Sequence, residues 1–280
     1  MILRSIALAA LFLVPSTAPQ PGTVYRISIL RESAGQSSDG SASSSHDVDE
    51  MVERVIAMRD GGVELEYDIA KPTKEDRDIA WQYPARLFRP ASGPLQLLNG
   101  AELQRRADAW RKRARLPLEA CGKWYFTWAA FRVECDPQAI LPTLAALDIQ
   151  PPDLRDGAPY RDPRASAPAP LVRTVSDANG AAFVVDLALD PETVRKERVD
   201  ADLVTAEILR KPLTRDDAAR DHAKEAISGT IRIAFETDST GQVWRRTTVV
   251  KTTINGAGGK IETLTATETV ERRLLSRVKS

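Results

Sequence analysis

Histidine and cysteine are scarce in this chain, which has 280 residues and only two of each. A metal site of mixed Cys and His ligands is therefore poorly supplied, and we expect neither a metal nor another cofactor. The motifs G-x-S-x-G, H-E-x-x-H, the Walker loop and G-x-G-x-x-G are also missing. The sequence thus has no recognisable motif for the common forms of nucleophilic, metal-dependent or nucleotide-dependent catalysis.

Neither histidine is a strong candidate for a catalytic triad. His46 lies in a serine-rich segment, and His222 lies near Asp217 and Asp221 on an expected alanine-rich helix. These two acids are four residues apart and share one helix face, an arrangement typical of an ordinary solvated acidic face. A hydrolase with an unrecognised site therefore ranks third among the functional hypotheses.

Long apolar runs are missing as well. The run from Ile6 to Val14 has nine residues, too few to span a bilayer. With Arg4 before it and Ser16-Thr17-Ala18 after it, the run has the pattern of a secretory signal peptide at residues 1–18. We expect residues 19–280 to be exported, periplasmic or secreted, and soluble.

The chain has no excess of positive charge, since 39 basic side chains balance 39 acidic ones. Removing Arg4 with the signal peptide leaves one basic side chain fewer, a net charge of −1. This balance, together with export, argues against a nucleic-acid partner.

Basic residues are nevertheless concentrated in one segment, residues 104–117. Its cations are Arg105, Arg106, Arg111, Lys112, Arg113 and Arg115. With Leu103 and Trp110 on its apolar stripe, such a helix is able to lie on an anionic membrane surface. The alternative is a solvated helix face whose apolar stripe packs on the sheet.

The two cysteines, Cys121 and Cys135, enclose a short aromatic segment. In an exported protein such a pair predicts a disulfide, and the chain must then double back near residues 127–129 to bring the Cα atoms within about 7 Å. The enclosed aromatic residues are Trp124, Tyr125, Phe126, Trp128 and Phe131. We expect them in the core, because each buries about 150–250 Å²; a ligand-stacking surface is the alternative.

Alternating apolar residues predict strands in the first part of the chain. The segments 24–31, 49–59 and 63–69 form an expected antiparallel meander, and 84–89 a shorter strand. Residues 33–46, rich in Ser and Gly, are expected to be a flexible loop.

Helix-start patterns dominate the middle of the chain. Asn99 and Glu102 form an expected capping box, with Leu98 and Leu103 as a hydrophobic staple, for a helix that ends before Pro117. A second short helix is expected after Asp136-Pro137. Residues 149–170 contain six prolines between 151 and 170 and are expected to cross the surface without regular structure.

Strands and helices alternate after residue 170. We expect a strand at 181–189, a helix from Asp190 towards Arg210, and a helix from Thr214 to about Ile227 with Gly229 as its terminal glycine. Further strands are expected at 231–235, 243–253 and 260–272.

Together these elements predict an α+β fold. Its curved antiparallel sheet is built from N- and C-terminal meanders, with helices packed on one face. We expect a single domain over 19–280, with the proline-rich crossing at about 149–170. Two subdomains, 19–150 and 171–280, are the alternative.

The element order, with terminal strands and a turn such as TDSTGQVWRRT, resembles the half-barrel of exported lipoprotein-sorting factors and their uncharacterised relatives. The likeness covers residues 24–69 and 230–272. It brings no functional residue to this chain.

Three functional hypotheses remain. The first is a non-enzymatic cell-envelope protein that binds an apolar or lipid-like ligand. The second is an envelope protein–protein interaction or assembly factor without a small ligand. The third is the hydrolase. A cavity of several hundred Å³ favours the first, and an exposed apolar patch favours the second.

Overall fold

The computed structural model describes residues 20–276, except residues 60, 128 and 152. The expected signal peptide, residues 1–18, lies outside the described residues. The strands are β1 (Val24–Ser37), β2 (Ala42–Arg59), β3 (Gly62–Ile69), β4 (Ala85–Pro90), β5 (Gln96–Leu97), β6 (Trp124–Phe126), β7 (Ala130–Arg132), β8 (Pro159–Tyr160), β9 (Ala169–Pro170), β10 (Val172–Asp177), β11 (Gly180–Ala188), β12 (Ala226–Thr237), β13 (Val243–Asn255) and β14 (Ile261–Ser276). The helices are α1 (Lys74–Ile79), α2 (Gly100–Arg113), α3 (Ile140–Ala145), α4 (Pro191–Leu209) and α5 (Arg215–His222).

Ten of these strands form one open antiparallel sheet. Their order is β10-β11-β12-β13-β14-β1-β2-β3-β4-β5, so the N-terminal and C-terminal meanders meet where β1 pairs with β14. Ile29 lies opposite Val270, and Ser37 lies opposite Glu262. The predicted α+β class, with its terminal meanders in one antiparallel sheet, is confirmed.

One side of the sheet, called here the inner face, carries the main core. Ile27, Leu65 and Phe183 are buried on it, and their positions in the strand registers place them on the same side. Leu103 of α2 and Leu144 of α3 belong to the same buried cluster. Helices therefore pack on this face, as the alternation of the strands predicts.

The expectation of a flexible loop at residues 33–46 is wrong. β1 runs on to Ser37 and β2 begins at Ala42, which leaves a short turn between them and places His46 in a strand. Backbone pairing with β14 on one side and β2 on the other holds residues that have little strand propensity of their own. Gly35 lies opposite Ser43, and a Cβ at Gly35 would be 2.7 Å from the Ser43 hydroxyl oxygen.

The expected end of the helix after Thr214 is also wrong. α5 ends at His222, and Ala226 already begins β12. Gly229 is a strand residue opposite Thr252, where a Cβ would lie 2.2 Å from the Lys251 carbonyl oxygen. A glycine that looks like a helix terminus is therefore required by close contact between strands.

The disulfide between Cys121 and Cys135 is confirmed, with the Cα atoms 5.6 Å apart. Between the cysteines, β6 and β7 form a separate antiparallel hairpin, so the predicted reversal of the chain is confirmed as well.

The expectation that the aromatic residues of this segment lie in the core is wrong for three of them. Tyr125, Phe126 and Phe131 are 39%, 61% and 44% exposed, and Trp124 is half-buried. Trp128 lies outside the described residues. Each strand has three residues and neither joins the large sheet, so the aromatic rings do not reach its core.

The helix predicted from Asn99 is present as α2, but the capping box is not formed. The Asn99 side chain makes no capping hydrogen bond. Instead, its Oδ1 accepts a hydrogen bond from the Arg86 backbone N–H at 2.9 Å, and its Nδ2 donates to the Pro84 carbonyl oxygen at 3.1 Å. Asn99 therefore fastens β4 to the start of α2.

This difference gives a test with two substitutions at one position. We expect Asn99→Ala to lower the free energy of unfolding by about 1–3 kcal/mol, because the Arg86 N–H loses its partner. Asn99→Asp keeps an acceptor but loses the donor to Pro84, so it should also destabilise. A true N-cap would accept Asp without loss, and an Asn99→Asp protein as stable as wild type in urea unfolding would contradict the role described here.

Candidate functional site

A cleft of about 370 Å³ lies on the inner face, between the turn that joins β1 to β2 and helix α4. Gly35, Ser43 and Leu264 lie next to one another across β1, β2 and β14. Ile254 and Arg198 contribute to the walls. Because the residues at Gly35 and Ser43 are small, the sheet leaves space above them that larger side chains fill elsewhere.

The lining combines two large apolar side chains with a larger number of polar ones. Leu264 is about half exposed although it belongs to a central strand of the sheet. Ile254, by contrast, is almost fully buried. The volume falls in the range of small-molecule sites, about 300–1,000 Å³, and Leu264 and Ile254 are the two large apolar side chains in the lining.

Alternating charges connect the cleft wall to the turn between β1 and β2. Arg198 donates a hydrogen bond to Glu262 at 3.2 Å and lies 3.0 Å from Glu225. Lys260 lies 3.2 Å from Glu262 and 3.1 Å from Asp39. Each cation thus contacts two carboxylates, and the chain of ion pairs holds α4 against the strand ends that border the cleft.

His222 is buried beside this network, between two carboxylates. Its Nδ1 lies 3.0 Å from Glu225 Oε1 and its Nε2 lies 2.8 Å from Asp202 Oδ2. Burial lowers the pKa of His222, but the hydrogen bonds to Glu225 and Asp202 outweigh burial and raise this pKa above its usual value. Arg198 Nε is 3.4 Å from Nδ1, but its contact with Glu225 is shorter. Both ring nitrogens therefore donate, and the imidazolium form is favoured.

The residues expected around His222 are arranged differently from a catalytic triad. Asp217 contacts Thr214 and Arg220 rather than His222, and Asp221 is exposed. The hydrogen-bond partners of His222 are the carboxylates of Glu225 and Asp202, neither of which is a hydroxyl or thiol that the ring could activate. The group is suited to fixing α5 against α4 and not to activating a hydroxyl.

A second ionic cluster lies in the core and was missed by the sequence-based expectations. Glu53 is buried on the inner face, where it accepts hydrogen bonds from Tyr67 at 2.7 Å and from Arg272 at 2.5 Å. Arg89 donates to the Tyr67 hydroxyl at 3.0 Å. Burial raises the pKa of Glu53, but the charge and hydrogen bonds of Arg272 outweigh it and lower this pKa.

One member of this cluster is recognisable from the sequence pattern of its strand. Glu53 occupies an apolar slot between Met51 and Val55 in the alternation of β2, and a charge in such a slot requires a buried partner. The partner Arg272 is 219 residues away in the chain. The single sequence therefore indicates that a partner exists but does not identify it.

The basic residues of the predicted membrane-contact helix separate into two groups. Arg106 donates to the Tyr83 carbonyl oxygen at 2.9 Å, Arg111 to that of Leu116 at 3.3 Å and Arg113 to that of Asp78 at 2.7 Å. These three cations therefore have structural contacts within the protein.

The other three cations, Arg105, Lys112 and Arg115, are exposed. Trp110 packs against the core cluster, so it is turned away from solvent. Contact of this helix with an anionic surface stays a prediction, and it would depend on charge alone.

Comparisons with known proteins do not assign this chain to a family. No family model matches it, and no curated protein matches it, so the resemblance to lipoprotein-sorting factors stays a prediction. A solved structure on lipid–protein interactions in lipovitellin matches 93% of this chain with 9% identity and a TM-score of 0.41. The chain spans 26% of that structure's length.

Two further findings concern the compartment and the chemistry. No helix within residues 20–276 is long and apolar enough to cross a membrane, and those residues hold no group of three or more His, Cys, Asp or Glu side chains suited to a metal ion. The disulfide is compatible with an oxidising compartment.

The charge on His222 should make stability depend on pH. A group whose pKa is raised by folding stabilises the folded state fully below its unfolded pKa, about 6.5, and loses this contribution as the pH rises through the folded value. We therefore expect His222→Gln to destabilise the protein more at pH 5 than at pH 9 in urea unfolding. His46→Gln is the matched control, because His46 pairs with Glu32 on the exposed surface. An equal loss at both pH values for His222→Gln would contradict the imidazolium assignment.

The disulfide should account for much of the order of the hairpin. We expect Cys121→Ser combined with Cys135→Ser to lower the free energy of unfolding by up to about 3 kcal/mol, because the enclosed loop gains freedom in the unfolded state. Wild-type protein in reducing agent should unfold at the same urea concentration as the variant. Alkylation of native protein without reductant should add no label, and two labelled thiols would contradict the bond.

Proposed function

We propose that this protein is an exported, non-enzymatic binding protein of the cell envelope, and that the cleft at Gly35, Ser43 and Leu264 holds an apolar or lipid-like ligand. The observation that carries the proposal is the cleft itself, about 370 Å³ in volume on the inner face of the sheet. A half-exposed leucine on a central strand is unfavourable unless something apolar covers it for part of the time.

The cleft differs from the rest of the inner face in the side chains that cover the sheet. Around Ile27 and Leu65 the same face is covered by apolar side chains of α2 and α3. Around Gly35 the side chains are small, and α4 contributes Arg198 instead of an apolar residue. A single domain over 19–280 belongs to the proposal, because one sheet contains strands from both halves of the chain.

The second candidate, an assembly factor without a small ligand, has one observation in its favour. β10 is an edge strand of the sheet, and Val172 and Val175 on it are each 53% exposed. An exposed apolar edge is able to pair with a strand of another protein. This edge offers no enclosed volume and therefore suits a polypeptide and not a lipid.

A pair of adjacent substitutions tests the ligand site. Ser43→Phe places a ring over the cleft floor, while Ser44→Phe makes the same change on the opposite side of β2, since successive residues of a strand point to opposite faces. We expect a dansyl-labelled fatty acid, followed by its fluorescence, to bind wild type and Ser44→Phe alike. We expect Ser43→Phe to bind it at least about ten-fold more weakly, a loss of about 1.4 kcal/mol.

Equal binding by both variants, or no binding by wild type, would contradict the proposal. Native mass spectrometry of protein purified from its own compartment adds an independent check, because a co-purified lipid should appear with wild type and be lost in Ser43→Phe. Strand-peptide binding that is abolished by Val172→Lys, without any lipid signal, would favour the second candidate.

A further inference from the structure

The hairpin of β6 and β7 exposes more aromatic surface than its surroundings require. Five of its six strand residues are exposed, and Trp124 is half-buried. Three exposed residues are aromatic: Tyr125, Phe126 and Phe131. Aromatic side chains of this size are usually buried, so a group of three on a short stapled hairpin indicates a contact surface.

The aromatic residues lie on both faces of the hairpin. Tyr125 is directly opposite Phe131, and their rings stack with centroids 6.1 Å apart, so these two share one face. Phe126 follows Tyr125 in the strand and therefore points to the other face. A flat protein partner would cover one face and leave the other in water, whereas a fluid apolar phase surrounds both.

Cations surround the base of the hairpin. Lys123 precedes β6 and Arg132 ends β7, and both are more than half exposed. Carboxylates lie beside them, Glu207 at 3.9 Å from Lys123 and Glu134 at 3.3 Å from Arg132.

Further positive charge comes from the end of α2. Residues 111–132 contain six cations and one carboxylate, Glu119. Arg115 is six residues before Cys121, which places it at most about 22 Å from the staple. Lys and Arg with long aliphatic stems are suited to the level of lipid head groups, where their charges are attracted to an anionic surface.

We propose that the stapled hairpin of β6 and β7 inserts its aromatic tip into the interface of an anionic lipid membrane. Tyr125, Phe126 and Phe131 enter the apolar boundary, and Lys123, Arg132 and the exposed cations Lys112 and Arg115 contact the head groups. The disulfide keeps the inserted segment compact, which reduces the ordering that binding requires. The apolar part of the contact is thus supplied by the hairpin, since Trp110 of α2 is turned to the core.

Vesicle co-sedimentation of the oxidised, signal-free protein tests this contact. The vesicles contain phosphatidylcholine alone or phosphatidylcholine mixed with phosphatidylglycerol. We expect wild type to pellet with the anionic vesicles at low salt, and part of this binding to persist at about 1 M salt, where the Debye length is only about 3 Å. Phe126→Ser with Phe131→Ser should weaken the partition coefficient at least about ten-fold and remove the salt-resistant part.

Matched variants separate the apolar contribution to vesicle binding from the charge contribution and from nonspecific adsorption. Val172→Ser with Val175→Ser removes exposed apolar surface on β10, which does not pair with the hairpin, and should bind vesicles as wild type does. Lys112→Gln, Arg115→Gln and Lys123→Gln together should remove most of the salt-sensitive part and leave the rest. Far-UV circular dichroism and urea midpoints should be unchanged in all three, because every substituted side chain is exposed.

Three outcomes would overturn the proposal. The first is an equal affinity of the phenylalanine variant and wild type for anionic vesicles. The second is no pelleting of wild type with either vesicle. The third is a concentration-dependent dimer of wild type in sedimentation velocity that the phenylalanine variant abolishes, because the hairpin would then be the contact between two copies of this chain.

Discussion

The pairing of β1 with β14 is the constraint on which the rest of the structure depends. These strands begin 237 residues apart, at residues 24 and 261, and stay in register from Tyr25 opposite Leu274 to Ser37 opposite Glu262. Without this ladder the chain would contain two smaller sheets, each with a long exposed edge. Such edges are prone to pairing with other chains, so joining them removes that hazard and creates one continuous inner face.

Side chains reinforce this junction where it crosses the core. Glu53 on β2 accepts from Arg272 on β14, and the Arg272 guanidinium lies 3.4 Å from the centroid of the Tyr25 ring on β1. Tyr67 on β3 completes the group through its hydrogen bond to Glu53. A buried carboxylate is costly unless it is fully paired, so the cluster is satisfied only when the strands adopt this register. The ionic group therefore favours one alignment of the two meanders over neighbouring ones.

Sequence patterns predict the strands of this protein better than they predict the residues that depart from those patterns. The alternation of Val63, Leu65 and Tyr67 predicts β3, but the face expected to be wet is largely buried. Glu64 and Asp68 lie on that face, where they pair with Arg86 and Arg77. The same logic fails at Gly35 and Ser43, whose strand conformation comes from neighbours far away in the chain. It fails in the opposite direction at Tyr125 and Phe131, where hydrophobicity predicts burial but the short hairpin does not reach a core.

The sequence predicts the type of candidate site but not its position in the fold. A cleft of several hundred Å³ is the expectation of the ligand-binding hypothesis, and the bond between Cys121 and Cys135 follows from composition and the expected compartment. The residues that line the cleft come from four separate strands, one turn and one helix, and six of them, between Gly35 and Ser43, belong to the segment that composition alone marks as a loop. Likewise, Asn99 has the residue type and position of a helix cap, yet the backbone N–H of Arg86 competes successfully for its side-chain oxygen.

Along β1, the inner face changes from apolar to charged at Arg31. This residue lies between the core residues of the strand and the cleft. Ile27 and Ile29 are buried, whereas the next residue on this face, Arg31, donates to Asp49 at 2.8 Å and to Glu268 at 3.3 Å. Since these charged groups remain partly exposed, the apolar run on β1 ends here, because burying them would leave charges unsolvated. Beyond this row β1 continues with Ser33 and Gly35, whereas the core continues on β12 and β13 with the buried Ile231 and Ile254. The cleft therefore lies where β1 extends beyond its own apolar residues.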